Sequence, residues 1–279
     1  MKVLEWLFHA KKKLVNILTA QLDLEVLICY VLKCSKEELF LNITQKIKDN
    51  DLFILNNLLD RRISGEPIAY IICKKEFWSL SLFVSSFVLI PRSDTEILVE
   101  QVLLRISLNC SFILDLGTGS GAIALAIATE CPQCKVIGID NSLHALSVAR
   151  YNAKKLSIKN VCFIYSNWFS RIPSIKFHVI VCNPPYLSET NFYDSKKNLI
   201  FEPYNALVAG KKGIECIQYI VENACFHLVS MGWLYIEHCY KQTSIVRKIF
   251  KTNFFIKIYS IKDYSSRNRI TFGCLKKIR

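Results

Sequence analysis

Apolar positions recur at three-to-four-residue spacing through roughly the first 65 residues: Leu4, Leu7 and Phe8, then Leu14, Ile17 and Leu18, then Leu24, Leu27 and Ile28. That is the period of amphipathic helices, and it predicts a small helical bundle. Ser35-Lys36-Glu37-Glu38 has the form of a capping box, and Gly65 stands where a glycine ends a helix, here one running from Asp51 to Ile63. From Ala69 to Ile90 the pattern turns β-branched and aromatic, which predicts a linking hairpin. A second box, Ser93-Asp94-Thr95-Glu96, predicts a helix through Val102.

Beyond it, apolar runs of strand length alternate with helical periods. Strands are expected at Phe112–Leu116, Lys135–Asp140, Val161–Tyr165, Phe177–Cys182 and Trp233–Glu237, and near Phe255–Tyr259 and Ile270–Leu275. Helices are expected within Gly117–Thr129, over Ser142–Leu156, near Ile214–Val229 and after Gln242. Alternation of this kind predicts an α/β fold, a mainly parallel sheet with helices on both faces. No internal repeat or low-complexity linker interrupts it.

The 279 residues, 52% of them hydrophobic, suffice for a large core. The apolar stretch at the start is broken by Glu5 and too short for a secretion signal. No uncharged run reaches membrane-spanning length, so a soluble cytosolic protein without a membrane partner is expected. Twelve scattered cysteines then read as small buried hydrophobes rather than a disulfide framework. Cys131-Pro132-Gln133-Cys134 is the one CxxC; without a second pair it argues weakly for zinc or redox work, and no metal is expected. A net charge of +13 suits an anionic partner, but the lysines lie in small groups at 11–13, 154–155, 196–197, 211–212 and 276–277 with no aromatic-basic RNA motif between them.

Two stretches carry chemistry. Val179-Ile-Val-Cys-Asn-Pro-Pro-Tyr186 is a strand stopped by two prolines, which lack N–H donors. Pro184 forces Asn183 into an extended conformation, so a polar amide is presented at a strand's carboxyl end. Pro184 and Pro185 offer carbonyls only, and Tyr186 offers a flat ring, an arrangement that suits a planar NH2 group. The second stretch is Asp115-Leu-Gly-Thr-Gly-Ser-Gly121, with three of the nine glycines within five residues, directly after a strand. Such a loop lets backbone approach a ligand, and Asp140, ending the next strand, can accept from both hydroxyls of a ribose. Gly117, Gly119 and Ala122 also satisfy a dinucleotide fingerprint, but hydride transfer has no use for the Asn-Pro-Pro-Tyr acceptors.

Further stretches, Gly65-Glu-Pro-Ile-Ala-Tyr-Ile71, Glu76-Phe-Trp78, Leu89-Ile-Pro-Arg92, Asp94-Thr-Glu96, Phe201-Glu-Pro203 and Ala206-Leu207, complete a resemblance covering nearly the whole chain. The sequence resembles the release factor glutamine methyltransferases, which N5-methylate the glutamine of the Gly-Gly-Gln loop in class I peptide chain release factors. The resemblance implies a class I, Rossmann-like methyltransferase domain over 92–279, a linking hairpin over 69–91 and a helical substrate-binding domain over 1–68. It implies S-adenosylmethionine as cofactor, held by Gly117, Thr118, Gly119, Ser120, Gly121, Asp140, Trp168 and Asn183. Substrate would be held by Asn183, Pro184, Pro185 and Tyr186, with Asn183, Pro184 and Tyr186 serving catalysis. A release factor would be the partner, with no stable nucleic-acid partner.

Because an amide nitrogen is a poor nucleophile, such a site is expected to orient it through the Asn183 oxygen and the Pro184 carbonyl rather than deprotonate it. Ser93 stands where the family commonly has proline, and Cys73, Ser79 and Cys239 where it has glycine; positive φ at any of these would cost stability. Glu237-His238-Cys239 reads as strand-end packing. Two rival readings share the motifs, an adenine-N6 nucleic-acid methyltransferase and a non-catalytic release-factor or ribosome binding module.

Overall fold

In a computed structural model describing residues 1–15, 17–106 and 112–277, with the side chains of 195–198 outside the description, the chain forms two compact units, Met1–Lys74 and Lys75–Arg279. The lysine pair at 196–197 therefore lies outside the described side chains.

The first unit contains α1 (Val3–Lys13), α2 (Ala20–Leu32), α3 (Lys36–Leu41), α4 (Asp49–Ile63) and a turn of helix, α5 (Ile68–Ile71). Its core gathers Trp6, Leu7, Leu24, Leu27, Ile28, Leu55 and Leu59. The stripe that α1 buries is Val3, Trp6, Leu7 and Ala10; Leu4 and Phe8 face outward, and Leu14, Ile17 and Leu18 fall between helices rather than in one. The Ser35 capping box forms as expected, each partner bonding the other's backbone N–H. At the end of α4, Glu66 N–H reaches the Arg61 carbonyl and Gly65 N–H the Arg62 carbonyl, a Schellman closure with Gly65 at φ 95°.

The hairpin is shorter than the β-rich pattern suggests. Only β1 (Lys74–Phe77) and β2 (Leu80–Phe83) pair, while Ile68–Ile71 is helical. The Ser93 capping box does not form: Ser93–Thr95 is a 3-10 turn and α6 runs over Glu96–Leu103. The carboxylate needed for the box is already engaged, since Glu96 Oε1 accepts the Trp78 N–H at 3.0 Å.

The second unit continues with β3 (Phe112–Leu116), α7 (Ala122–Glu130), β4 (Lys135–Asp140), α8 (Leu143–Lys155), β5 (Val161–Tyr165) and β6 (Phe177–Cys182). Then come β7 (Leu187–Ser188), α9 (Glu189–Leu199), α10 (Tyr204–Leu207), β8 (Val208–Gly210), α11 (Glu215–Ala224), β9 (Leu228–Glu237), α12 (Thr243–Thr252), β10 (Phe255–Lys262) and β11 (Asn268–Leu275). The helix expected near Ile214–Val229 stops at Ala224. His227 N–H turns back to the Ala224 carbonyl, and Leu228 already pairs with Phe177 as strand.

Seven strands form one sheet in the order β10-β11-β9-β6-β3-β4-β5, with β11 antiparallel to both its neighbours and the pairs from β9 to β5 parallel. Strand alternation divides the core. Ile113, Val179 and Val181 meet α6, α7 and α8 on one face, whereas Leu114, Ile180 and Cys182 meet α11 and α12 on the other. Strand order reverses at β3, which pairs with β4 on one side and β6 on the other, and the carboxyl ends beside such a reversal are where open α/β sheets bind ligands. No helix among the described residues is long and apolar enough to cross a membrane.

Candidate active site

The glycine loop leaves β3 at this reversal point. Gly117 and Gly119 take φ of 69° and 56°, the left-handed region that side chains disfavour, and a Cβ at Gly119 would meet nothing within 4 Å. Thr118 turns inward: its N–H donates to the Ile139 carbonyl at 2.8 Å and its hydroxyl to Asp115 Oδ2 at 2.7 Å. Asp115 is fully buried, and burial pushes its carboxyl up to about 7. Asp140, ending β4, receives the Gly119 N–H on Oδ2 and the Ser142 N–H on Oδ1, both at 2.9 Å. Burial raises its carboxyl above the usual range, although these backbone donors act the other way. The Asn141 N–H also faces this carboxylate, which offers about four acceptor sites and so keeps capacity to spare.

A cavity of about 570 Å³ opens above these strand ends. Gly117, Gly119, Asp140, Trp168, Asn183 and Pro185 line it. Thr118, Ser120 and Gly121 stand behind the wall, where the Ser120 carbonyl accepts from buried Asn152, whose amide also brackets Phe83. Pro184 is buried and Tyr186 half-buried against the β6 core, neither on the cavity wall. Burial lifts the Tyr186 phenol well above its ordinary value, so it stays neutral.

Several supports are not apparent from the motifs. Asn183 Nδ2 donates to Thr95 Oγ1 at 3.2 Å, and that hydroxyl donates to Glu237 Oε2 at 2.7 Å. Thr95 and Glu237 are both buried, and burial pushes the Glu237 carboxyl up to about 7. Gln242 Nε2 donates to the carbonyls of Tyr186 and Gly213, at 3.0 and 2.8 Å, and fixes the far side of the Asn-Pro-Pro-Tyr loop. Buried Glu202 bonds Arg92 and accepts the Ile90 N–H, joining the segment before α6 to the one carrying Pro203, Asn205 and Ala206, which line the cavity. The N-terminus of α8, from Ser142 to Ala145, and the pair Phe87 and His144, stacked at 4.4 Å, complete further wall. Only long-range pairing brings these residues there, so no local spacing marks them.

His238 is buried with both ring nitrogens occupied, Nδ1 by the Cys239 carbonyl at 2.9 Å and Nε2 by Thr271 at 2.7 Å, which fits its packing role. Cys131 and Cys134 are buried free thiols, and burial raises Cys131 to about 11. Among the described residues no three His, Cys, Asp or Glu side chains group as metal ligands.

A methyltransferase domain model matches residues 110–269, and the model of the PrmC N-terminal domain matches 5–72. Among solved structures, the chain is similar to a methyltransferase from Pyrococcus furiosus, with a TM-score of 0.55 and 20% identity over 80% of this chain and all of that one. It is also similar to the hMettl16 catalytic domain in complex with the MAT2A 3′UTR hairpin 6, with a TM-score of 0.59 and 12% identity over 83% of each. These two likenesses concern the fold. Sequence relatives go further: release factor glutamine methyltransferases of Buchnera aphidicola subsp. Schizaphis graminum and of Escherichia coli K12 are 49% and 40% identical, each over 98% of this chain and 99% of its own length. Identity at that level across both units, in a chain whose sheet reversal gathers the glycine loop and Asn-Pro-Pro-Tyr around one cavity, makes this protein a member of the release factor glutamine methyltransferase family.

Proposed function

We infer that the protein transfers a methyl group from S-adenosylmethionine to the side-chain amide nitrogen, N5, of the glutamine in the Gly-Gly-Gln motif of class I peptide chain release factors. The observation that carries this reading is that Asp140 and Asn183 line one cavity from the carboxyl ends of β4 and β6, the strands on either side of β3. The cofactor fits the residues present. A volume near 570 Å³ lies within the range of small-molecule sites, Asp140 retains lone pairs for ribose hydroxyls, and Trp168 offers a flat wall for the adenine. Gly117 and Gly119 let backbone come close, while Thr118, Ser120 and Gly121 hold the loop's shape. Once bound, the cofactor supplies a methyl group already activated on a sulfonium sulfur.

The chain's own task is to hold a weak nucleophile. Asn183 Oδ1 and the Pro184 carbonyl accept the two N–H bonds of the substrate amide, which orients its lone pair and stabilises positive charge developing on nitrogen. Pro185 flanks the amide on the cavity wall, and Tyr186, packed behind it against the β6 core, stays neutral and is not a base. No base is required, because the proton leaves once the nitrogen is cationic. The same reading makes the helical unit, residues 1–68, the part that helps hold the release factor, and places the protein in the cytosol without a stable nucleic-acid partner.

The test is transfer of labelled methyl to three acceptors: a purified unmethylated release factor, the same factor with its Gly-Gly-Gln glutamine replaced, and adenine-containing DNA. Label on the first alone is expected. Label on DNA, or equal label on both release factors, overturns the reading.

A further inference from the structure

We propose that Thr95 and Glu237 are positioning residues that set which end of the Asn183 amide faces the cavity. The inference rests on the reading of the site as an amide-methylating centre. An Asn side chain presents an acceptor at one end and donors at the other, and either end fits the same space. In this protein the choice is made by a relay. Ionised Glu237 can only accept, so the Thr95 hydroxyl proton is committed to Oε2 at 2.7 Å. The hydroxyl oxygen then accepts from Asn183 Nδ2 at 3.2 Å, and Oδ1, which has no partner among the described residues, is left for the substrate's N–H.

Protonation of Glu237 inverts the relay. The carboxylic acid donates to Thr95 Oγ1, the hydroxyl turns its proton towards Asn183 Oδ1, and Nδ2 faces the cavity, where it meets the substrate amide donor to donor. Burial is the main influence on Glu237, which is 1% exposed and titrates near 7. The charged groups that face it oppose one another: Arg269 on β11 and Arg92 before α6 favour the carboxylate, and Asp94 disfavours it. Neutral Tyr186 and the buried Cys182 thiol, both of which feel Glu237, add no charge. Turnover should therefore fall as pH drops through about 7.

The experiment compares the parent with Thr95→Val, which keeps shape and removes the relay, and Thr95→Ser, which keeps the hydroxyl. Turnover of a release factor is followed against pH at saturating S-adenosylmethionine, where titration of Asp115 or Asp140 acting on cofactor binding does not register. The side-chain amide signal of Asn183 is followed by NMR without substrate, assigned by its loss in Asn183→Asp. Thr95→Val is expected to lose roughly 10- to 100-fold in kcat and the acid limb with it, to keep its cofactor affinity, and to release the Asn183 amide protons to fast exchange with water. Thr95→Ser restores all three. Thr95→Val with parental kcat, or with lowered kcat but an unchanged acid limb, overturns the proposal. A parent whose Asn183 amide is anchored through Thr95 but which does not methylate a release factor leaves the positioning intact and overturns the substrate reading alone.

Discussion

Asn183 shows how much one side chain depends on neighbours far away in sequence. Pro184 restrains its backbone, and Thr95, 88 positions earlier, holds its amide. In the proposed mechanism its free oxygen is the acceptor for the substrate amide, so Asn183→Ala should lower turnover by about 10²- to 10³-fold while cofactor binding remains measurable by calorimetry. Near-parental turnover would remove the amide from the mechanism. The glycines, Asp140 and Asn183 are legible in the sequence because each ends or follows a strand within a short motif. Glu237 and Thr95 are not, since nothing at either position marks a partner 142 residues distant. His238 is legible for the opposite reason: no nucleophile accompanies it, and the structure occupies both its nitrogens at the end of the interior strand β9.

At the scale of elements, continuous apolar runs mark the parallel strands because both faces of the sheet are covered. The pattern fails where elements are too short to show a period, as in β7, α10 and β8 between Leu187 and Gly210. These elements nonetheless shape the site. A Cβ on Gly213, at φ 75°, would lie 2.8 Å from Ser188 N and Tyr186 O, both backbone atoms that cannot give way cheaply. Gly213→Ala should therefore displace the Asn-Pro-Pro-Tyr loop, costing about tenfold in kcat/KM and about 1–3 kcal/mol in a denaturant titration. Unchanged values for both would show that the loop is not held there. The glycine-substituted family positions also separate. Cys73 and Ser79 take φ of 53° and 58°, whereas Cys239, at −66°, is unstrained. Cys73→Gly and Ser79→Gly should each stabilise by about 1 kcal/mol, and Cys239→Gly should not, as measured by denaturation midpoints.

For the whole molecule, alternation of strands and helices announces the α/β class, and the sheet order brings motifs from β3, β4 and β6 to one end. The fold carries a cost there, since Asp115 sits fully buried in the centre of the sheet. A carboxyl near 7 in the folded chain and about 4 in the unfolded one binds more protons when folded. Its contribution to stability is complete below about pH 4 and is lost as pH rises through about 7. Glu237 acts in the same direction. Asp115→Asn should therefore flatten the dependence of melting temperature on pH between about 4 and 7, gaining most against the parent at the alkaline end. Parallel curves for the two proteins would place the titration elsewhere.

The central claim concerns one nitrogen atom, and fragmentation mass spectrometry of the Gly-Gly-Gln peptide addresses it directly. An unmethylated release factor would be incubated with this protein and S-adenosylmethionine, digested and sequenced in the spectrometer. A single added methyl confined to the glutamine side chain is the predicted result. A methyl on any other residue, or an unmodified peptide from a folded, cofactor-bound protein, would contradict the assignment.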